Sequence, residues 1–178
     1  MTTEVLIAGF GGQGVLFAGK FLAYKGLLED KQVSWLPSYG PEMRGGTANC
    51  SIIISDEPVG SPIVSNPGVL LAMNLPSLDK YENEALSGSV IIVDSTLIDR
   101  KITRTDVKAY YIPATKLAKD MNAPTLANMI MIGKMIKETN IVSIDNLEDA
   151  MKKVVPPKKA DLMGVNMQAV MLGYNYKD

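Results

Sequence analysis

No histidine occurs anywhere in the 178-residue chain, and cysteine occurs once, at Cys50. The first absence removes the side chain that most often moves protons near neutral pH. The second excludes an internal disulfide, and any iron–sulfur cluster or cysteine-rich zinc site held by this chain alone. A net charge of −1 gives no general attraction to nucleic acid or to an anionic membrane. No apolar run approaches the roughly 20 residues that span a bilayer. The opening Met-Thr-Thr-Glu also lacks the basic segment of a secretory leader. These absences describe a soluble, cytoplasmic protein with no nucleic-acid or membrane partner, poorly supplied to run a reaction unaided.

What is present has an ordinary globular balance, 47% hydrophobic and 21% charged, at a length that suits one domain over residues 1–178. A short apolar strand over 4–8 runs into the string GFGGQG at residues 9–14. Helical spacing follows over 13–28, with Val15, Leu16, Gly19, Leu22, Ala23 and Leu27 on one stripe. Strand, glycine turn and helix in that order begin an α/β unit. Further strands are expected at 33–36, 48–54, 68–73, 89–94 and 107–112, with a helix over 78–86 between two of them. The stretch 125–139 is apolar nearly all round and belongs inside. Ser143 is the expected N-cap of the next helix, with Asp145 in its first turn. Ile144, Leu147, Ala150, Met151 and Val154 form its buried face, and Pro156-Pro157 stops it. A last helix covers 162–172. The expected fold is α/β, a single Rossmann-like three-layer domain: a mixed or mainly parallel sheet with helices on both faces.

GFGGQG fits the G-x-G-x-x-G template at Gly9, Gly11 and Gly14. Glycine allows positive φ and close backbone approach, and the helix start that follows offers free N–H groups to an anion. A dinucleotide site also needs an acid at the end of the second strand, for the ribose 2′-hydroxyl. Here that strand runs Val33-Ser34-Trp35-Leu36-Pro37-Ser38, and Glu29 and Asp30 precede it rather than end it. The ribose hook is missing. Tight helix–strand packing, and a turn that holds a phosphate or a partner's backbone, both remain open, with Gln13 an unusual polar group for packing alone.

The stretch LPSYGPEMRGGTANC, residues 36–50, is richer than a plain connection requires. Pro37 and Pro41 stiffen it, and Gly45-Gly46 permits turns closed to other residues. Arg44 presents a planar fork suited to carboxylate or phosphate, and Glu42 either orients it or pairs with it at the surface. In a doubly wound sheet this loop would sit beside the glycine turn, outside the carboxyl ends of the strands. Gly60-Ser61-Pro62 is expected along the same edge, where Ser61 has no histidine to activate it. Cys50 reads as an inert core thiol, and the methionines as interior filling. Lys152-Lys153 and Lys158-Lys159 read as solvated helix ends.

Taken together, Gly9-Phe10-Gly11-Gly12-Gln13-Gly14, then Pro37-Ser38-Tyr39-Gly40-Pro41-Glu42-Met43-Arg44-Gly45-Gly46, then Ser61-Pro62, resemble the gamma subunits of 2-oxoacid:ferredoxin oxidoreductases across nearly the whole chain. The likeness is greatest to the 2-oxoglutarate type, with branched-chain and pyruvate relatives close behind. It implies an enzyme that converts a 2-oxoacid and coenzyme A, its co-substrate, to acyl-CoA, carbon dioxide and reduced ferredoxin. Thiamine diphosphate, Mg2+ and [4Fe-4S] clusters are then expected on partner subunits, with no metal ligand or catalytic residue here. The implied partners are alpha and beta subunits, a delta subunit as a further candidate, and ferredoxin as acceptor. Gly11, Gly12, Gln13 and Gly14, with Tyr39, Glu42, Arg44 and Gly45, would form one edge that docks on the catalytic subunits beside the active centre or the coenzyme A path. The beta subunit of the indolepyruvate enzyme shares the glycine turn and stays an alternative. So does a free-standing protein that binds a nucleotide or the phosphates of coenzyme A.

Overall fold

Strand β1 (Thr2–Phe10) buries Val5 and Ile7 on one face and Leu6 and Ala8 on the other, so both faces of its sheet must be covered. The computed structural model describes residues 1–38 and 47–177. The remaining strands are β2 (Gln32–Ser38), β3 (Thr47–Ser55), β4 (Val69–Ala72), β5 (Val90–Asp94) and β6 (Lys108–Ile112). They lie in the order β2-β3-β1-β4-β5-β6. β1, β4, β5 and β6 run parallel, and β3 runs antiparallel to both of its neighbours. The sheet is mixed and the fold α/β, as expected.

One face carries α1 (Val15–Leu27), α3 (Ala114–Asp120), α4 (Ala127–Thr139), α5 (Leu147–Val154) and α6 (Leu162–Asn175). Phe21 and Leu22 of α1 are fully buried there, each worth roughly 1.5–3 kcal/mol of apolar transfer. The other face is closed by α2 (Leu75–Tyr81), a 3₁₀ turn (Glu82–Glu84) and the segment 95–107, through Leu78, Tyr81, Ala85 and Ile98. α4 is buried from Ala127 to Ile136, which bears out its interior assignment. It lies between β5 and α6, and its crossing with α6 is made by glycine. A Cβ on Gly133 would stand 2.8 Å from the backbone nitrogen of Tyr174, and one on Gly173 would stand 2.7 Å from the carbonyl carbon of Ile130.

Several expectations need correction. The helix expected over 78–86 starts at Leu75, because Asn74 Oδ1 accepts the Ser77 N–H at 2.9 Å and Pro76 suits a first turn. Ser143 is not an N-cap. Its Oγ accepts the Asp145 N–H at 3.0 Å in the preceding turn, its own N–H donates to Glu29 Oε1 at 2.8 Å, and α5 begins only after Asn146 at φ 54°. α1 begins at Val15 rather than at 13, because Gly14 is left-handed. The short helix α3 was not foreseen. Its first turn is fastened by buried Asp94, which accepts the Thr115 hydroxyl at 2.6 Å.

The largest correction concerns 60–62. Because β3 runs against β1, its end at Ser55 pairs with Thr2, at the amino end of the parallel strands. Gly60 and Ser61 therefore line a surface with Thr2 and Glu4, at the opposite end of the sheet from the glycine turn.

Candidate functional site

The carboxyl ends of the parallel strands form one rim, and β1 and β4 make its switch point. α1 leaves β1 over one face of the sheet, and α2 leaves β4 over the other. In open α/β sheets, crevices of this kind receive ligands. Glycine turn 11–14 occupies it. Gly14 has φ 72° and ψ 24°, a left-handed conformation in which a side chain is strained, and a Cβ there would strike the Asn128 amide. Gly12 has φ 94° and faces open space. The first turn of α1 has neither a side-chain cap nor an acidic residue, so its N–H groups are left for water or an incoming acceptor.

Gln13 has a defined task. Its Oε1 accepts the Phe10 N–H at 2.6 Å, and its Nε2 donates to the Met73 carbonyl at 3.1 Å. The amide thus bolts the turn across the ends of β1 and β4. Asn128, buried in the first turn of α4, donates from Nδ2 to the Gly14 carbonyl at 2.9 Å and anchors the turn from below. The sequence reading missed Asn128 and Asn74. Their signals were a lone polar residue inside an apolar helical run, and an Asn followed two residues later by proline.

The second motif reaches the same rim by its flanks. Thr47 is paired with Phe10, and Ser38 with Asn49, so the two described flanks, Ser38 and Thr47, both lie beside the glycine turn. Tyr39, Glu42, Arg44 and Gly45 themselves lie outside the described residues. Asn49 Nδ2 donates to the Tyr81 hydroxyl at 3.1 Å, next to a 400 Å³ cavity floored by Leu6 and Ser51 and walled by Leu36, Ser38 and Val64. Phe10 is 39% exposed on this rim. Gly11 lies partly exposed in the turn itself.

Glu29 and Asp30 stand at the far end of α1, about 20 Å from the turn by helix rise, and Glu29 is taken up by the Lys25 ammonium and the Ser143 N–H. Neither serves as a ribose hook. An iron–sulfur cluster does not fit either. The one thiol, Cys50, is buried under α1, donates to the Val15 carbonyl at 3.4 Å, and is pushed up to about 12 by burial, against a smaller pull from Trp35. Among the described residues no three His, Cys, Asp or Glu side chains gather as a metal site, and no helix is long and apolar enough to cross a membrane.

Residues 4–176 match the family model described as pyruvate ferredoxin/flavodoxin oxidoreductase. The 2-oxoglutarate synthase subunit KorC of Methanocaldococcus jannaschii is 38% identical over 159 residues, covering 88% of this chain and 85% of that one. The ketoisovalerate oxidoreductase subunit VorA of Methanothermobacter thermautotrophicus is 45% identical over 133 residues. That match covers 75% of this chain and only 28% of VorA, a much longer polypeptide. Among solved structures, the gamma subunit of a keto/oxoacid ferredoxin oxidoreductase from Geobacter sulfurreducens superposes with a TM-score of 0.81 at 31% identity, over 97% of this chain and 96% of that one.

Proposed function

Because the chain belongs to the pyruvate ferredoxin/flavodoxin oxidoreductase family, as a gamma subunit of a 2-oxoacid:ferredoxin oxidoreductase, we propose that it docks its glycine-turn rim on the catalytic subunits and helps enclose the active centre or the coenzyme A path. The complex would convert a 2-oxoacid and coenzyme A to acyl-CoA, carbon dioxide and reduced ferredoxin. Thiamine diphosphate, Mg2+ and iron–sulfur clusters would sit on the alpha, beta and any delta subunits, and ferredoxin would take the electrons. We take 2-oxoglutarate as the substrate, since the KorC relative matches along most of both chains.

The observation that carries the reading is the pairing of Thr47 with Phe10. It brings both flanks of the 39–46 segment to the rim occupied by Gly11, Gly12, Gln13 and Gly14. On this rim exposed Phe10 offers an apolar contact, and the uncapped start of α1 offers donors. Tyr39, Glu42, Arg44 and Gly45 would complete the edge, with Arg44 gripping a carboxylate or phosphate through its fork.

The test is the assembled complex carrying Arg44→Ala, assayed by acceptor reduction with 2-oxoglutarate, pyruvate and 2-oxoisovalerate in turn. Activity should fall more than tenfold with assembly retained, and 2-oxoglutarate should be the preferred acid in the wild type. Full activity in the variant removes the docking role for this edge. A preference for another acid corrects the substrate.

A further inference from the structure

The sheet has two edges, and their chemistry differs. β6 carries exposed Lys108 at its start, and the Lys101 ammonium lies over its Tyr111 ring at 3.7 Å. Lysines so placed deter another strand from adding to an edge. β2, at the other edge, has no charged residue between Gln32 and Ser38. Every second residue of an antiparallel edge strand turns its N–H and C=O away from its one neighbour, here β3. Pro37 has no N–H to give, so the free edge is Gln32–Leu36.

Both faces beside this edge are apolar. Val33 and Trp35 pair with Ile54 and Ile52, which lie under α1, whereas Leu36 pairs with Ser51 and shows on the opposite face. On the α1 face Val33 and Trp35 meet Ala23, Tyr24 and Leu27 across a groove of about 220 Å³, and Leu27 is 51% exposed. On the opposite face Leu36 is 39% exposed. Large apolar side chains gathered along one edge mark a contact for another molecule. One charge lines the groove. Lys20, partly buried, leans toward the Tyr24 ring at 6.0 Å and has no ion pair among the described residues. Covering an ammonium without an anion is costly, so an occupant that covers Lys20 must bring a carboxylate to it.

We propose that β2 takes a seventh strand from a partner subunit. An extended segment pairs its backbone with Gln32–Leu36, sets an aspartate or glutamate against Lys20, and sets an apolar residue on the same face against Leu27 and Val33. Residues two apart on a strand share a face and stand about 7 Å apart, while Lys20 and Leu27 are about 10 Å apart by helix rise. The acid and the apolar residue are therefore two or four positions apart. A second copy of this chain fits poorly. Its own edge strands, Gln32–Ser38 and Lys108–Ile112, contain no acid, and its β6 would bring another lysine. The inference rests on the subunit reading above but uses the sheet edge rather than the glycine turn.

The experiment compares hydrogen–deuterium exchange of peptides covering 32–38 in the isolated chain and in the purified complex. The free N–H groups of β2 should exchange about tenfold more slowly in the complex or slower still, a protection that side-chain contact alone would not give. Separately, Lys20→Glu should lower retention of the partner subunits about tenfold in co-purification, and Lys20→Arg should keep it. Lys20 has no ion pair to lose, so both isolated variants should melt within about 2 °C of wild type. Equal exchange in the two states overturns the proposal. So does protection that the isolated chain gains by itself as its concentration rises, or full retention by folded Lys20→Glu. Protected β2 with full activity in Arg44→Ala would leave this edge standing and remove the glycine-rim reading. Unprotected β2 with the expected loss in Arg44→Ala would do the opposite.

Discussion

Replacing Gly133 by alanine should destabilise the protein, although the same change in an exposed helix normally helps. A Cβ on Gly133 would lie 2.8 Å from the Tyr174 nitrogen and 2.8 Å from the Val170 carbonyl carbon, with the Val170 oxygen closer still. Carbon atoms normally touch at about 3.5–4.0 Å, so α4 and α6 would have to part by about 1 Å. The obstacles are backbone atoms and cannot rotate away. α4 cannot retreat, because Met129, Ile132 and Met135 are fully buried around it. Overpacking of this kind costs about 1–3 kcal/mol, and the upper end applies where nothing flexible yields. Alanine returns about 0.5–1 kcal/mol of helix propensity, leaving a net loss near 2 kcal/mol. At about 2–4 °C per kcal/mol for a domain of this size, the midpoint should fall by about 4–8 °C. Thermal unfolding followed by far-ultraviolet circular dichroism measures it. Gly164→Ala, exposed near the start of α6 with nothing within 4 Å, is the control. It should gain about 0.5–1 kcal/mol and melt about 1–4 °C higher. A Gly133→Ala protein as stable as wild type, or a Gly164→Ala protein that falls as far, refutes the reasoning.

Three further outcomes follow from the structure. Gly14→Val puts a branched side chain at φ 72° against the Asn128 amide, and should cost about 1–3 kcal/mol through strain and lost packing; an unchanged melting temperature together with normal assembly contradicts this. Cys50, buried and held at about 12, should ignore a thiol reagent in the native protein and react at once in denaturant; rapid native labelling would place it elsewhere. Asp56, through the Lys31 hydrogen bond first, and Asp106, through the Arg104 hydrogen bond, are held at about 2 against an ordinary 3.8. Burial pushes the Glu82 carboxyl up, but bonds from the Thr103 backbone and Arg100 outweigh it and hold the group below the ordinary 4.5. Folded values below unfolded ones mean that the stabilisation is complete above the unfolded values and is lost as pH falls through the folded ones. Melting temperature should therefore drop between about pH 4.5 and pH 2, with Glu82→Gln flattening the upper part of that drop. A profile flat through this window removes the linkage.

How much could be read in advance varies with the range of the forces involved. The run Val5–Ala8, the glycine turn and the apolar stripe of α1 were legible because period and turn chemistry are local. So was the interior position of α4, since a helix apolar all round has nowhere else to go. The short α3 escaped because its buried face is only Ala114 and Ala118, too small a signal over seven residues. Gln13 was recognised as unusual, but its purpose depended on the carbonyl of Met73, sixty residues away. Asn128 could be noticed only as a polar residue out of place. That it holds Gly14 depends on a contact across 114 positions of sequence.

By itself the amino-acid sequence determined the kinds of element, the α/β class, and the poverty of this chain in proton-moving and cluster-binding side chains, because those follow from composition and from neighbours a few positions apart. Tertiary structure alone decided the direction of β3, which keeps Thr47 beside Phe10 and carries Ser61 to the opposite end of the sheet. Pairing direction is set by which distant strand captures which backbone hydrogen bonds, and no local pattern records that choice.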